Sequence, residues 1–233
     1  MRSILVVILS IFMQVSDGSE NIETVETFLS VETSKSLGHE LRIVVNDAMN
    51  SVKSGQLNVA MSKVDEAIKS FHKLFDNSKK QLTFQTDLDY YEYVKINGTG
   101  FQRIDWGYRE ALHIKSYIYS GTKRFDEALK VINELGNVAP VSVGSMVEKG
   151  YILSQLKKID KSFEIYQQAS KLADIYSSQA VFKPAALRGM GFVLIEKNEL
   201  DRAESLFKQS LELEPGNSTA LNELEYIKDL RNR

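Results

Sequence analysis

The feature that most constrains the fold of this chain is a pattern of residue sizes that spans 34 residues and recurs. It is clearest over residues 184–217, where bulky, small and aromatic side chains lie three and four positions apart, the spacing of neighbours on one helix face. Asn198-Glu199 interrupts the pattern and Pro215-Gly216 ends it. The segment therefore predicts two amphipathic helices packed on each other. The positions expected in contact are Leu187, Met190, Gly191, Leu194, Ala203, Phe207 and Ser210.

The same pattern occurs at residues 109–142 and again, directly afterwards, at 143–176. Seven residues, 177–183, separate this second copy from the third, and we interpret them as two extra turns on the preceding helix. A weaker copy at 41–74 predicts a divergent helical hairpin. Self-similarity at this period is typical of stacked helical repeats.

The three clear copies resemble the tetratricopeptide-repeat family. The resemblance extends over about residues 41–233 and is strongest at 109–217. It implies an all-α fold, a right-handed α-solenoid of helical hairpins. Residues 218–233, with Ser218 as the capping residue, predict an amphipathic helix that closes the open end of the stack.

Residues 75–108 do not fit the repeat pattern. They contain the aromatic run Tyr90-Tyr91-Glu92-Tyr93 and the glycine pair of Gly98-Thr99-Gly100. We expect an irregular, loop-like segment, which is either a disrupted repeat or an excursion over the helices.

The N-terminal residues 1–18 have the composition of a secretory signal peptide, with a basic start and an apolar run at 4–15. Small residues within Ser16-Asp17-Gly18 favour cleavage after Gly18. The run is short for a bilayer core of about 30 Å. The alternative interpretations are an uncleaved membrane anchor and a chance apolar N-terminus. We expect an exported protein, periplasmic or secreted, with a polar leader at 19–40 and no stable membrane span after cleavage.

Composition argues against several classes of function. The formal net charge of -2 lacks the Lys/Arg excess of a general nucleic-acid binder. The chain has no Cys, which excludes disulfides, cysteine nucleophiles and thiolate metal sites. Its three histidines have no metal-ligand spacing, and Asp87 and Asp89 are interpreted as a solvated loop. The sequence therefore predicts a protein without catalytic residues, metal or cofactor.

The resemblance also implies a concave surface lined by the first helix of each repeat, where members of the family generally bind peptides or protein segments. The ninth residue of each repeat is expected to point into it, and these residues are Tyr117, Tyr151 and Phe192, with Met49 in the divergent copy. The polar side chains expected near them are His113, Glu148, Gln155, Arg188 and Glu196.

We expect a non-catalytic scaffold that binds an extended or helical protein segment in this aromatic groove. The candidate partner-binding residues are Tyr117, Tyr151, Phe192, His113, Glu148 and Arg188. Two alternatives stay open. The aromatic rings could instead pack inside the superhelix or under residues 75–108, or the curved cavity could belong to an accessory or carrier domain for a small apolar ligand.

Overall fold

The computed structural model describes residues 36–232, which form ten α-helices, two short 3-10 helices and a two-stranded sheet. The 3-10 helices are His39–Leu41 and Ser177–Phe182, and the strands are β1 (Lys80–Thr83) and β2 (Phe101–Ile104). The α-helices are α1 (Arg42–Lys53), α2 (Leu57–His72), α3 (Asp87–Asn97), α4 (Trp106–Gly121), α5 (Phe125–Val138), α6 (Val143–Gln155), α7 (Ile159–Ile175), α8 (Lys183–Glu196), α9 (Leu200–Leu213) and α10 (Ser218–Arg231).

Eight of these helices form four hairpins, α1–α2, α4–α5, α6–α7 and α8–α9. Each hairpin packs on the next through α2 and α4, α5 and α6, and α7 and α8, while α10 packs on α9. One hydrophobic core runs through the first three hairpins into α8. The protein is an all-α, right-handed α-solenoid, and the predicted fold class is confirmed.

The four hairpins share one turn. Its central residue has a positive φ angle at Lys123 (61°), Lys157 (58°), Asn198 (58°) and Gly55 (73°). In each turn the next backbone N–H donates to a carbonyl five residues earlier, as from Arg124 to Tyr119 O at 2.8 Å. The hairpin of α1 and α2 therefore has the same local geometry as the three clear repeats.

Glycines allow helices to approach closely at two places. A Cβ atom at Gly191 would lie 2.8 Å from Cε2 of Phe207, which is closer than packed carbon atoms come. The second place is the ring of Tyr166, where a Cβ atom at Gly150 would lie 2.7 Å from the ring. Gly189 of the following repeat faces the same ring. The ring of Tyr166 is therefore enclosed by two helices, α6 and α8.

Residues 75–108 form an ordered β–α–β unit, so the expectation of an irregular segment is wrong. The strands pair in parallel, with Lys80 opposite Phe101 and Thr83 opposite Ile104, and α3 connects them. Parallel strands need such a crossover connection. The unit contains one helix and two strands, so it is not a disrupted repeat.

The helix α3 begins with a capping box. The Thr86 hydroxyl accepts from the Asp89 N–H at 3.1 Å, and the Asp89 carboxylate accepts from the Thr86 N–H at 2.8 Å. Asp89 is fully buried, which corrects its interpretation as part of a solvated loop.

The β–α–β unit has a small core of its own. Phe84 contacts the rings of Tyr90, Tyr93 and Phe101 with centroid separations of 5.3–5.8 Å. The same cluster includes Val141, after α5, and Tyr176, after α7. The unit therefore lies beside the loops that connect one repeat to the next.

Two helix ends differ from the sequence-based expectation. The chain is extended at Tyr176 (φ −108°, ψ 109°), so α7 ends at Ile175 and the following residues form a separate 3-10 helix rather than extra turns. Asn217, not Ser218, caps α10, since its side chain accepts from the Ala220 N–H at 3.0 Å.

The predicted signal peptide at 1–18 lies outside the described residues, as does most of the predicted leader at 19–40. Over residues 36–232, no helix has the length and apolar character needed to cross a membrane.

Candidate functional site

The expected groove aromatics lie on α4, α6 and α8, the first helices of three successive hairpins. Tyr117 and Phe192 are half-buried, and Met49 on α1 is half-buried as well. Tyr151 is only 7 % exposed and belongs to the main core, where its ring meets that of Phe125 on α5 at 6.3 Å. The expectation that Tyr151 is an exposed groove residue is therefore wrong, because α5 covers its ring.

Three of the expected polar groove residues are also buried. His113, Glu148 and Arg188 are 4 %, 2 % and 3 % exposed. They contact other parts of the solenoid and do not face an open groove, which corrects the sequence-based expectation. By contrast, Gln155 is half-buried and Glu196 is exposed, 3.9 Å from Lys157.

His113 and Glu148 join two neighbouring repeats. Nε2 of His113 on α4 lies 2.9 Å from a carboxylate oxygen of Glu148 on α6, and the Ser116 hydroxyl donates to the other oxygen at 2.7 Å. Burial alone would lower the pKa of His113, but the carboxylates of Glu148 and Glu110 raise it to about 9. The imidazole is therefore charged at neutral pH and forms a buried ion pair.

A second set of polar contacts begins one turn earlier on α4. Arg109 pairs with Glu110 at 3.1 Å and donates to the Ser142 hydroxyl at 3.2 Å. Ser142 in turn lies 2.6 Å from Ser145 Oγ on α6. The arginine and the two serines extend the polar contact between α4 and α6 to the N-terminal end of α6.

Arg188 links α8 to the end of its own hairpin. Its guanidinium donates to the Ser210 hydroxyl at 3.0 Å and to the Glu214 carboxylate at 2.5 Å. Both contacts are made by Nη1, and the ion pair with Glu214 makes Arg188 a support of the C-terminal repeat.

Sequence reasoning missed the contacts that hold the β–α–β unit to the repeats. The buried Asp89 carboxylate accepts from Gln179 Nε2 at 2.6 Å and from the Ser178 hydroxyl at 2.7 Å. Glu92, one turn further along α3, accepts from the backbone N–H of Ser177 at 3.0 Å. The sequence contains one relevant signal, the Thr86-x-x-Asp89 capping pattern. It indicates where α3 begins but does not identify the partners of Asp89.

At the other end of the unit, Asp105 forms a second link. Its fully buried carboxylate accepts from Nε of Arg42 on α1 at 3.0 Å and from Nη2 at 2.6 Å, and it caps α4 through the Gly107 N–H. The Arg42 and Ser36 hydrogen bonds hold the pKa of Asp105 below its usual value, although burial acts in the opposite direction and is the largest single influence.

Comparison with known families identifies the repeat. The family described as "Tetratricopeptide repeat" matches residues 143–176, which contain α6 and α7. This chain contains a tetratricopeptide repeat. Its predicted family is thereby confirmed.

Solved structures agree with this assignment. The crystal structure of PilW, described as a widely conserved type IV pilus biogenesis factor, is 20% identical with a TM-score of 0.60, covering 82% of this chain and 70% of PilW. MamA (41-end) from Desulfovibrio magneticus RS-1 is 12% identical with a TM-score of 0.53, covering 84% of this chain and 88% of MamA. At these identities the likeness shows the fold. No curated protein matches the sequence.

Of the three ninth-position aromatic residues on the first helices, Tyr117 and Phe192 are half-buried, and Tyr151 in the repeat between them is buried. The buried charged residues His113, Glu148 and Arg188 have ion-pair partners within the protein. Within residues 36–232, no three His, Asp or Glu side chains gather in a way that could hold a metal ion.

Proposed function

We propose that the protein is a non-catalytic interaction scaffold that binds a protein or peptide segment along the first helices α4, α6 and α8. Tyr117 and Phe192 are the proposed contact residues. Tyr151, His113, Glu148 and Arg188 hold the surface in place from behind. The tetratricopeptide-repeat fold supports this proposal, because stacked repeats present extended surfaces for binding.

The observation that carries the proposal is the pairing of the buried charges beneath half-exposed aromatic rings. His113 is neutralised by Glu148 and Arg188 by Glu214, so neither cation needs a ligand carboxylate. Aromatic rings supply a large contact area at low cost in conformational entropy. The favoured ligand is therefore a segment with apolar side chains, held by aromatic contact and a few polar bonds.

Site-specific photocrosslinking in the native host tests this proposal. Tyr117 and Phe192 are each replaced by p-benzoylphenylalanine in the full chain, and covalent adducts are identified by mass spectrometry. Tyr226 on α10, which is 44 % exposed, is the matched control position. We expect one and the same partner protein at positions 117 and 192 and not at 226.

Adducts at position 226 alone, or equal adducts at all three positions, would contradict the proposed surface. A small apolar molecule retained in native mass spectra, without any protein adduct, would favour the carrier alternative. A bound protein and a bound small molecule are distinguishable, because a photoadduct with a protein shifts the band on a denaturing gel.

We also propose that the chain is exported and cut between Gly18 and Ser19. The basic start, the apolar run at 4–15 and the small residues at 16 and 18 support this. Intact-mass spectrometry of protein from the native host is expected to show a chain that begins at Ser19. A soluble cytoplasmic chain that still contains residues 1–18 would refute it.

A further inference from the structure

A second groove lies at the junction between repeats 143–176 and 184–217. Its walls are α7 and α9, its floor is α8, and its volume is about 390 Å³. The floor residue Met190 precedes Phe192 by two positions, about 200° around the helix. The groove therefore opens on the opposite side of α8 from the surface proposed above.

The groove combines an apolar interior with a basic rim. Phe163, Leu187, Met190 and Leu206 supply its apolar surface, and serine and glutamine side chains surround them. Lys171 stands on the α7 wall and Arg202 on the α9 wall. Among the described residues that line the groove, none is acidic.

The two cations differ in their surroundings. The Arg202 guanidinium lies over the Phe163 ring, 5.7 Å from its centroid, and also pairs with Glu199. Lys171 is exposed, and none of the ion pairs within residues 36–232 involves its ammonium group. A carboxylate placed at the rim would therefore meet an uncompensated positive charge beside an apolar surface.

We propose that this groove docks an acidic amphipathic segment of a partner protein. Its apolar side chains would enter between α7 and α9, onto Leu187 and Met190, while a flanking Asp or Glu pairs with Lys171. The volume falls in the range of sites that enclose ligand groups, about 300–1,000 Å³. An apolar face laid into a groove between helices is an established mode of peptide recognition.

Selection from a random peptide library displayed on phage tests this proposal with the full chain as target. We expect the selected peptides to combine apolar residues with Asp or Glu. A synthetic copy of the most enriched peptide is then measured by fluorescence anisotropy against single variants. Lys171→Glu is expected to weaken binding about tenfold, because it reverses the charge at the rim.

Lys161→Glu is the matched control, since Lys161 is exposed on the same helix but does not line the groove. It is expected to leave the affinity within about twofold. Thermal melts of both lysine variants check that they fold, as exposed substitutions should.

Three results would overturn the proposal. Selected peptides without acidic residues would contradict the proposed pairing with Lys171. If Lys161→Glu weakens peptide binding as much as Lys171→Glu does, the effect is a long-range one of net charge and not a contact in the groove. If sedimentation velocity shows a wild-type dimer that Lys171→Glu dissociates, the groove is an interface between copies of this chain instead.

Discussion

The junction between repeats 109–142 and 143–176 is polar, whereas the next junction, between 143–176 and 184–217, is apolar. In the first, His113, Ser116 and Glu148 meet in a buried cluster. In the second, the ring of Tyr166 lies against Gly150 and Gly189. The two junctions use the same backbone repeat, but different interactions hold them together.

The difference shows which property the repeat pattern constrains. Ser116 and Gly150 occupy the same place in consecutive repeats, and both are buried. Both residues at this repeat position are small, but Ser116 carries a hydroxyl group whereas Gly150 has no side chain. The repeat pattern therefore restricts the size of the side chain at this position but does not determine whether the junction is polar or apolar.

The largest expected effect comes from removing the carboxylate at the polar junction. Glu148→Ala leaves the buried Ser116 hydroxyl without its acceptor and the charged His113 with the more distant Glu110 as its remaining carboxylate. Breaking a buried ion pair in this way costs about 3–5 kcal/mol of unfolding free energy. Urea denaturation followed by circular dichroism measures it.

Glu148→Gln is the matched control for that substitution, because it keeps the shape and one hydrogen-bond acceptor while removing the charge. It is expected to destabilise less than the alanine variant. A native-like denaturation midpoint for Glu148→Ala would mean that the His113–Glu148 contact contributes nothing to this junction.

The polar junction should also make stability depend on pH. The pKa of His113 is raised from 6.5 to about 9, so the folded state binds a proton more tightly than the unfolded state does. The resulting stability is fully present below pH about 6.5 and is lost as the pH rises through about 9, by roughly 3 kcal/mol. Denaturation across this range measures the loss.

His113→Gln should remove this dependence, whereas His72→Gln, at an exposed position, should retain it. Equal pH profiles for the wild type and His113→Gln between pH 6.5 and 9 would contradict the assignment. At the apolar junction, burial raises the pKa of Tyr166, so its phenol stays protonated in this window.

Steric changes should act at the apolar junction. Gly189→Leu would place a side chain into the Tyr166 ring, and overpacking of this kind costs about 1–3 kcal/mol. Gly191→Leu should have a similar effect through Phe207 and should loosen α10 too, because each repeat depends on its neighbours. Thermal melts check both variants, and an unchanged melting temperature for either one would refute its close contact.

Much of the fold could be predicted from the sequence, because the repeat pattern reflects packing between residues of the same repeat. The hairpins, their turns and the close approach at Gly191 all depend on residues within one repeat. The burial of Tyr151 does not, since it arises from the ring's contact with Phe125 of the preceding repeat. A ninth-position aromatic residue can therefore be half-buried or buried, depending on how the hairpins stack.

The β–α–β unit was not predictable for a different reason. Its strands have four residues each, too few to show alternation, and the aromatic residues of α3 are distributed around the helix without a single apolar face. The unit is held by Asp89 and Asp105, whose partners Gln179 and Arg42 are distant in sequence. No local pattern reports such contacts.

The smallest predicted effect concerns a feature that both junctions share, the left-handed residue in each hairpin turn. Lys123 has φ 61°, where most side chains are strained, whereas the last repeat has Asn198 at the equivalent place with φ 58°. Asparagine tolerates this conformation, so Lys123→Asn should stabilise the protein by about 0.5 kcal/mol. Lys157→Asn, with φ 58°, should give the same increase. Chemical denaturation of both variants tests this prediction. A gain in stability at one turn without the other would show that the turns are not equivalent. It would then follow that the chemistry of the adjoining junction, polar or apolar, affects the turn.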